Sequence, residues 1–83
     1  MNYRIAYKKS VARDIRKISK KQVATLLRKI EQDLPEKADS CPPLTGKFAK
    51  MRKFRIGEYR VVFSIIGDTV LVVRISHRRD VYR

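Results

Sequence analysis

The sequence predicts an α+β domain with the element order β-α-α-β-β-β, in which a helical hairpin packs on one face of an antiparallel sheet. The first observation is a change of period: apolar residues recur every three or four positions in the first half of the chain and alternate in the second. The second is length, because 83 residues suffice for one small domain. Residues 1–83 are therefore assigned to a single domain.

The first half of the chain predicts one strand and two helices. Residues 2–7 are rich in Tyr and Ile and predict a strand at a sheet edge. Ser10 is the expected cap of a short helix that follows. Residues 20–33 carry a clear amphipathic pattern, and Pro35 is expected to end that second helix because proline lacks the backbone N–H.

The second half of the chain predicts a loop and three strands. Two adjacent prolines and a glycine make residues 35–46 a loop. The predicted strands cover residues 47–56, 59–66 and 69–76. Gly57 and Gly67 lie in the two intervening turns, where each supplies the positive φ that a tight hairpin requires.

The last two predicted strands, V-V-F-S-I-I and V-L-V-V, are apolar on both faces. The helices can cover one face, and the short polar C-terminus is a poor cover for the other. An exposed apolar face favours association. We therefore expect an external partner on that face.

The charge of the chain indicates an anionic partner, since 21 Lys and Arg oppose 8 Asp and Glu, a net charge of +13. Cys41 is the single cysteine and has no disulfide or metal-ligand companion in the sequence, which fits a reducing cytoplasm. No signal peptide or membrane-spanning run is evident, so no membrane association is expected. No metal cluster or glycine-rich phosphate loop is present in the sequence, so we expect no cofactor.

Several cations are expected to converge at one region of the sheet. Lys53 and Arg55 have the same parity in one predicted strand, and the tight turn brings Arg60 beside them. The exit from the last strand adds His77 and Arg78. Like charges gathered in this way repel unless an anion is bound, and a phosphodiester backbone is the natural anion. Nearby aromatic residues that can stack on bases are Phe54, Tyr59 and Tyr82.

A plainer interpretation exists for each of these residues. Lys53 and Arg55 also suit an ordinary solvated strand face, and Arg60 suits a buried ion pair with Glu58 or Asp80. Arg74 lies inside an apolar strand, where a structural ion pair is the favoured prediction.

Metal-free RNA cleavage is chemically open to such a cluster. The ribose 2′-OH attacks the adjacent phosphate, and fixed cationic donors stabilise the charge that builds on the phosphoryl oxygens. A lysine crowded by other cations has a lowered pKa and can act as base, whereas arginine keeps its proton. The single histidine excludes a mechanism that uses two histidines.

Two stretches, L-T-G-K-F-A-K-M-R-K-F-R-I-G-E-Y-R-V-V-F and V-L-V-V-R-I-S-H-R-R-D-V-Y-R, resemble the RelE toxins of the RelE/ParE superfamily. The resemblance implies a RelE-like fold and a small cytoplasmic toxin that is neutralised by a cognate antitoxin. It also implies that the free toxin enters the ribosomal A site, against rRNA, and cuts mRNA without a metal ion. Operator DNA would be bound only through the antitoxin complex.

The resemblance also implies roles for individual residues. The catalytic set comprises Lys53, Arg55, Arg60, Arg78 and Tyr82, and the flanking RNA-binding set comprises Lys47, Lys50, Arg52, His77 and Arg79. Lys53 is the candidate base, but His77, with an unperturbed pKa of about 6.5, is open as the alternative. The chain departs from the family pattern at Arg52, where a bulky aromatic is common.

Two other functions remain open from the sequence. A ParE-like toxin would inhibit DNA gyrase and not cut RNA, although such members tend to lack the full basic set. A catalytically decayed module that only binds nucleic acid or antitoxin would need no more than the basic surface.

Overall fold

The computed structural model describes residues 2–80, so the expectations for Tyr82 fall outside the described residues. The helices are α1 (Lys9–Ile15) and α2 (Lys20–Lys37), and the strands are β1 (Arg4–Tyr7), β2 (Arg52–Ile56), β3 (Tyr59–Ile66) and β4 (Thr69–His77). Three short 3₁₀ helices span Ala38–Ser40, Gly46–Phe48 and Arg78–Asp80. The predicted α+β class and the order β-α-α-β-β-β are confirmed. Within the described residues, no helix is long and apolar enough to cross a membrane.

The sheet is mixed, with the strand order β1-β4-β3-β2. Strands β2, β3 and β4 form an antiparallel meander, as predicted, whereas β1 pairs with β4 in parallel. The expectation of a wholly antiparallel sheet was wrong in this one pairing. A parallel pair needs a long crossover, and the two helices belong to the segment that separates β1 from β4.

The hydrophobic core lies between the helices and one face of the sheet. Helix α2 contributes Leu26, Ile30 and Leu34, which are buried against Val61 and Phe63 of β3 and their neighbours in β4. Each such side chain contributes about 1.5–3 kcal/mol when it is fully buried. The opposite side of the sheet, turned away from α2, is called the open face below.

Strand β4 carries a bulge at its middle. Val62 pairs with Arg74 and Phe63 pairs with Val72, which leaves Val73 as the extra residue. The inward positions therefore shift from Val70 and Val72 to Ile75, all of which are buried. The bulge also lets the open face carry Val73 and Arg74 side by side.

Helix α1 takes over from β1 at the edge of β4. Strand β1 pairs with β4 only as far as Val72. Beyond that point the Ser10 hydroxyl donates to the Val73 carbonyl, and the Ile75 N–H donates to the Asp14 carboxylate at 2.9 Å. Ser10 is thus not the helix cap that was predicted, because its side chain is used to satisfy the strand edge. Lys8 holds the cap position, without a side-chain hydrogen bond.

Helix α2 continues past Pro35 to Lys37, so the prediction that proline ends it was wrong. A proline near a helix end removes one hydrogen bond, and here Leu34 and Ala38 on either side are fully buried. Their burial favours one further turn of helix. The Pro35 carbonyl accepts a hydrogen bond from the Tyr3 N–H at 3.1 Å, which joins this turn to the start of β1.

Strand β2 begins at Arg52, five residues later than predicted. The preceding residues form the Gly46–Phe48 turn, in which Gly46 has a φ of +66°. This turn folds the chain back on itself, so that the Leu44 N–H donates to the Met51 carbonyl at 2.8 Å. The segment before the turn therefore runs beside the start of β2, and Pro43 pairs with Arg52.

Candidate active site

The register of β2 and β3 gathers three of the predicted catalytic cations. Lys53 and Arg55 alternate with Phe54 along β2, so their side chains lie on the same face of the sheet. Arg55 is the direct cross-strand partner of Arg60, which places their Cα atoms about 4.5–5.5 Å apart. Arg60 is buried, while Arg55 is exposed. The structure thus brings together Lys53, Arg55 and Arg60, as the sequence predicted.

The end of β4 adds further predicted residues to this region. Ser76 pairs with Arg60 and His77 pairs with Tyr59, and the rings of His77 and Tyr59 meet edge to face at 5.2 Å. Arg78 follows at once. Its N–H donates to the Glu58 carbonyl at 2.7 Å, and its guanidinium lies 3.7 Å from the Glu58 carboxylate. Because that ion pair is solvent-exposed, it restrains the Arg78 guanidinium only weakly.

We call this region of the sheet the basic end. It comprises Lys53, Arg55 and Arg60 on the open face, together with His77, whose pairing with Tyr59 gives it the parity of the helix side, and Arg78, which follows it. The His77 ring accepts a hydrogen bond through Nδ1 from the Arg79 N–H at 3.2 Å. Because Nδ1 accepts this hydrogen bond, the neutral ring carries its proton on Nε2, which is therefore a hydrogen-bond donor.

A cavity of about 420 Å³ lies at the β2 edge of the basic end. Its walls include Lys53, Arg55 and Arg60 from the sheet and Lys37 from the last turn of α2. Phe54 and the segment Ser40–Pro42 complete it. Among the described residues that line this cavity, none is acidic, so it favours an anion.

A larger cavity of about 950 Å³ lies on the open face itself. Its sides are the end of α1, with Lys17 and Ile18, and the loop that carries Phe48 and Met51. Arg60 lines both cavities. This arginine therefore contributes to the walls of both spaces.

Arg74 is held in a structural ion pair, as predicted. Its guanidinium donates two hydrogen bonds to the Asp14 carboxylate, at 2.9 and 3.0 Å. These hydrogen bonds, with the charge of Asp14, raise the pKa of Arg74 above its ordinary value. Asp14 is buried and also accepts from the Ile75 N–H, so this pair fixes α1 to the bulge of β4.

Arg52 differs from the other predicted RNA-binding residues in its position. Its parity places it on the helix side of the sheet, opposite to Lys53. The Arg52 guanidinium donates to the carbonyls of Asp39 and Cys41 at 2.9 and 3.0 Å. Those contacts give Arg52 a structural role in holding the loop after α2.

The remaining predicted RNA-binding residues lie at the margins of the site. Lys47 has its ammonium 5.3 Å from the centre of the Phe48 ring, on the loop that borders the larger cavity. Lys50 is exposed in the same loop, before β2. Arg79 is exposed beside His77.

Lys37 is the residue of this site that the sequence did not indicate. It lies 16 positions before Lys53 in a stretch rich in acidic residues, and no spacing rule connects the two. Only the extension of α2 beyond Pro35 places Lys37 at the cavity wall.

The opposite part of the open face has a different character. Its alternating positions, which we call the apolar end, are Arg4 and Ala6 of β1, Ser64 and Ile66 of β3, and Thr69 and Leu71 of β4. Ile66 is 60% exposed. This confirms the predicted presence of apolar side chains on the face that the helices leave uncovered.

Comparison with known proteins places these features in a family. A family model described as the ParE toxin of the type II toxin-antitoxin system parDE matches residues 3–82. No curated protein sequence matches the chain significantly.

Solved structures similar to the chain include the toxin-antitoxin complex RelBE2 from Mycobacterium tuberculosis, with a TM-score of 0.85 and 25% identity over 94% of this chain and 100% of that one. A conserved protein from Helicobacter pylori, HP0894, has a TM-score of 0.75 and 17% identity over 99% and 100% of the two chains. The E. coli toxin RelE, solved as a mutant with an antitoxin peptide, has a TM-score of 0.69 and 20% identity over 99% and 92%. The fold is therefore that of RelE toxins.

Proposed function

The chain belongs to the RelE/ParE superfamily of type II toxin-antitoxin toxins, and from that premise we propose that it is a ribosome-dependent mRNA endonuclease. The observation that carries the proposal is the convergence of Lys53, Arg55 and Arg60 on one cavity whose described lining has no acidic residue. A cluster of this kind binds a phosphodiester and stabilises the extra negative charge of its transition state.

The proposed reaction is an intramolecular displacement at phosphorus. The 2′ oxygen of the ribose forms a bond to the phosphorus, and the bond from phosphorus to the 5′ oxygen breaks. The products are a 2′,3′-cyclic phosphate and a 5′-hydroxyl. A base removes the proton of the 2′-OH, and an acid supplies a proton to the leaving 5′ oxygen. Arg55 and Arg60 donate to the non-bridging oxygens, where charge accumulates.

Two residues are candidates for the base. Lys53 lines the smaller cavity beside Arg55 and Arg60, and His77 lines the larger one. His77 can act as base only in the tautomer that leaves Nε2 without a proton, which requires the Nδ1 hydrogen bond from Arg79 to be broken. Arg78 is the third phosphate ligand in this proposal, and Tyr82 orients the 2′-OH or stacks on a base.

The partners proposed for the chain follow from the same surface. The open face binds the mRNA in the ribosomal A site, with rRNA close by, and a cognate antitoxin covers it in the resting complex. Two of the similar structures, RelBE2 and E. coli RelE, contain an antitoxin. The apolar end supplies the surface for that antitoxin. Operator DNA is bound through the antitoxin complex, and the setting is the cytoplasm.

The decisive experiment is primer extension on an mRNA that is being translated in a purified system, with the wild-type chain and with Arg55→Ala. We expect cleavage that depends on ribosomes and does not require added metal beyond what translation needs. Arg55 is exposed, so its replacement tests catalysis with little effect on folding. Loss of one transition-state donor lowers the cleavage rate by about 10²–10³.

The matched control is Arg28→Ala, because Arg28 is also exposed but lies on α2. This variant should cut at close to the wild-type rate. Lys53→Arg and His77→Gln then separate the two candidate bases, since Lys53→Arg keeps the charge but loses the removable proton. Equal cleavage by wild type and Arg55→Ala would contradict the proposal.

A second candidate function is inhibition of DNA gyrase, and the family model that matches the chain favours it, because that model describes ParE toxins. The discriminating assay is gyrase supercoiling in the presence of the purified chain. Inhibition of supercoiling without cleavage of translated mRNA would assign the chain to the gyrase-directed class. An absence of both activities would assign it to the decayed class.

A further inference from the structure

We propose that Lys37, on the wall of the smaller cavity opposite the β2–β3 cations that hold the cleaved phosphate, forms a second phosphate subsite for the next phosphate of the RNA. The inference rests on the proposed function, which it deepens by adding a binding residue outside the sheet. The cavity holds about 420 Å³, and it carries Lys37 on one wall and the β2–β3 cations on the other.

The first support is the distribution of charge around the cavity. Lys37, Lys53, Arg55 and Arg60 come from three different elements and line one space. Asp33 and Glu36, the acidic neighbours of Lys37 on α2, are not among the lining residues. The acidic residue of the turn that follows is Asp39. It accepts a hydrogen bond from the Tyr3 hydroxyl at 2.7 Å and is not among the lining residues.

The second support concerns the backbone carbonyls after α2, which would repel an anion if they faced the cavity unpaired. The Lys37 carbonyl accepts from the Ser40 hydroxyl at 2.8 Å and from the Cys41 thiol at 3.3 Å. The Asp39 and Cys41 carbonyls accept from Arg52. The Pro42 carbonyl accepts from the Lys53 N–H at 3.1 Å. Because these carbonyl oxygens already accept hydrogen bonds, they repel an anion in the cavity less than unpaired carbonyls would, and Lys37 is exposed at its wall.

The third support is the apolar part of the lining, formed by Phe54, Cys41 and Pro42. Phe54 is half-buried and Pro42 is exposed. An inorganic anion alone gains nothing from such a wall, whereas the sugar and base of a nucleotide do. The lining therefore suits a nucleotide unit of a single-stranded RNA.

The position of the subsite relative to the reacting phosphate follows from Arg60, which lines both cavities. An RNA strand that lies over Arg55 and Arg60 on the open face meets Lys37 when it continues past the β2 edge. The subsite thus anchors the strand on one side of the cleaved bond and aligns it for in-line attack.

The test uses two probes that cannot be cleaved, because their 2′ positions are methylated. The 2′-O-methyl triadenylate carries two phosphodiesters, and the 2′-O-methyl diadenylate carries one. Binding of each probe to the free wild-type chain is followed by ¹H–¹⁵N chemical shifts and repeated at several salt concentrations. The trinucleotide should bind more tightly, move the amides of Lys37, Ser40 and Cys41, and show a salt slope steeper by about 0.7.

The variants are Lys37→Gln and, as matched control, Lys21→Gln, which removes the same charge from an exposed position near the start of α2. Lys37→Gln should weaken trinucleotide binding about three- to tenfold, abolish the added salt slope and leave dinucleotide binding nearly unchanged. Lys21→Gln should behave as the wild type. Equal trinucleotide affinities for Lys37→Gln and wild type, or no binding of either probe, would overturn the subsite.

The result is separable from that of the primer-extension experiment. If the trinucleotide difference is present but ribosomes loaded with the chain leave mRNA intact, the proposed function fails and the phosphate subsite stands. If mRNA is cut but Lys37→Gln binds and cuts as the wild type does, the subsite fails and the proposed function stands.

Discussion

The two ends of the open face share strands β3 and β4 but differ in what stands beside them. At the apolar end, β4 is flanked by β1 and the face carries Ile66 and Leu71. At the basic end, β3 is flanked by β2, and helix α1 replaces β1 as the hydrogen-bond partner of β4. Strand β1 covers only the first half of β4, and β2 covers only the first half of β3. The sheet therefore has two ends of three strands each, one apolar and one basic.

The comparison shows that charge density and structural anchoring are greatest at the same end. The basic end is held by the Asp14–Arg74 pair, which has two hydrogen bonds and a buried carboxylate. The apolar end has the Arg4–Asp68 pair, at 3.8 Å with both side chains largely exposed. A cluster of like charges destabilises the fold around it, so a strong anchor is most useful there.

The largest expected effect that tests this difference is on stability. Asp14→Ala removes a buried carboxylate that accepts from Arg74 and from the Ile75 N–H, and should lower the free energy of unfolding by about 2–4 kcal/mol. Asp68→Ala, at the apolar end, should lower it by less than about 1 kcal/mol. Urea unfolding of the two variants measures the difference. Similar losses in both would mean that the ends are anchored equally.

The next effect concerns binding of an antitoxin at the apolar end. Ile66→Lys places a charge on the exposed apolar end and should weaken binding of a cognate antitoxin about tenfold, by loss of apolar burial. Gln22→Lys adds the same charge at an exposed position of α2 and should bind as the wild type. Calorimetry gives both affinities. An antitoxin that binds Ile66→Lys with unchanged affinity covers some other surface.

A smaller effect is expected at the two hairpin turns, one at each end. Gly57 and Gly67 have φ values of +57° and +60°, and a Cβ at either position meets no neighbouring atom within 4 Å. Replacement of either by Ala should therefore lower stability by a similar amount, about 1 kcal/mol, through backbone strain alone. Only Gly57→Ala should also slow mRNA cleavage, because its turn sets the Arg55–Arg60 pairing. A slower cleavage rate in Gly67→Ala would argue against separate ends.

The smallest effect is a loss of stability at high pH. Burial raises the pKa of the Cys41 thiol, beside the basic end, above its ordinary value of 9.0, although Arg52 and Lys37 oppose the shift. Burial, with the hydrogen bond to Glu31, raises the pKa of Tyr7, in β1, above 10.0. Because both pKa values are raised in the folded state, their contributions are complete at lower pH and are lost as the unfolded chain ionises.

The expected curve is flat to about pH 9 and then falls, at up to about 1.4 kcal/mol per pH unit for each group. In Cys41→Ala, the pH at which the free energy of unfolding begins to decrease should move from about 9 to about 10, where Tyr7 begins to ionise in the unfolded chain. Tyr7→Phe should leave the start unchanged and reduce the slope above pH 10. Urea unfolding between pH 7 and pH 11 under reducing conditions gives the curves. An unchanged start in Cys41→Ala would exclude the thiol as its source.

The local sequence pattern was sufficient to predict the structure wherever a residue's position depends on its near neighbours in the chain. Strand β3 was predicted with its observed bounds, and the parity of Lys53 and Arg55 followed from alternation alone. The tight turn at Gly57 then determined that Arg60 would stand opposite Arg55. These features depend on a period of two and on positive φ, which short sequences encode directly.

Tertiary contacts decided what local pattern could not. The burial of Leu34 and Ala38 carries α2 past Pro35 and brings Lys37 to the cavity, against the helix-ending tendency of proline. The crossover makes β1 parallel, and the bulge at Val73 lets Arg74 reach Asp14, 60 residues earlier in the chain. The sequence alone thus determined the elements and the cations of the open face. Packing between distant segments selected their partners, because burial and backbone hydrogen bonding are satisfied only once those segments meet.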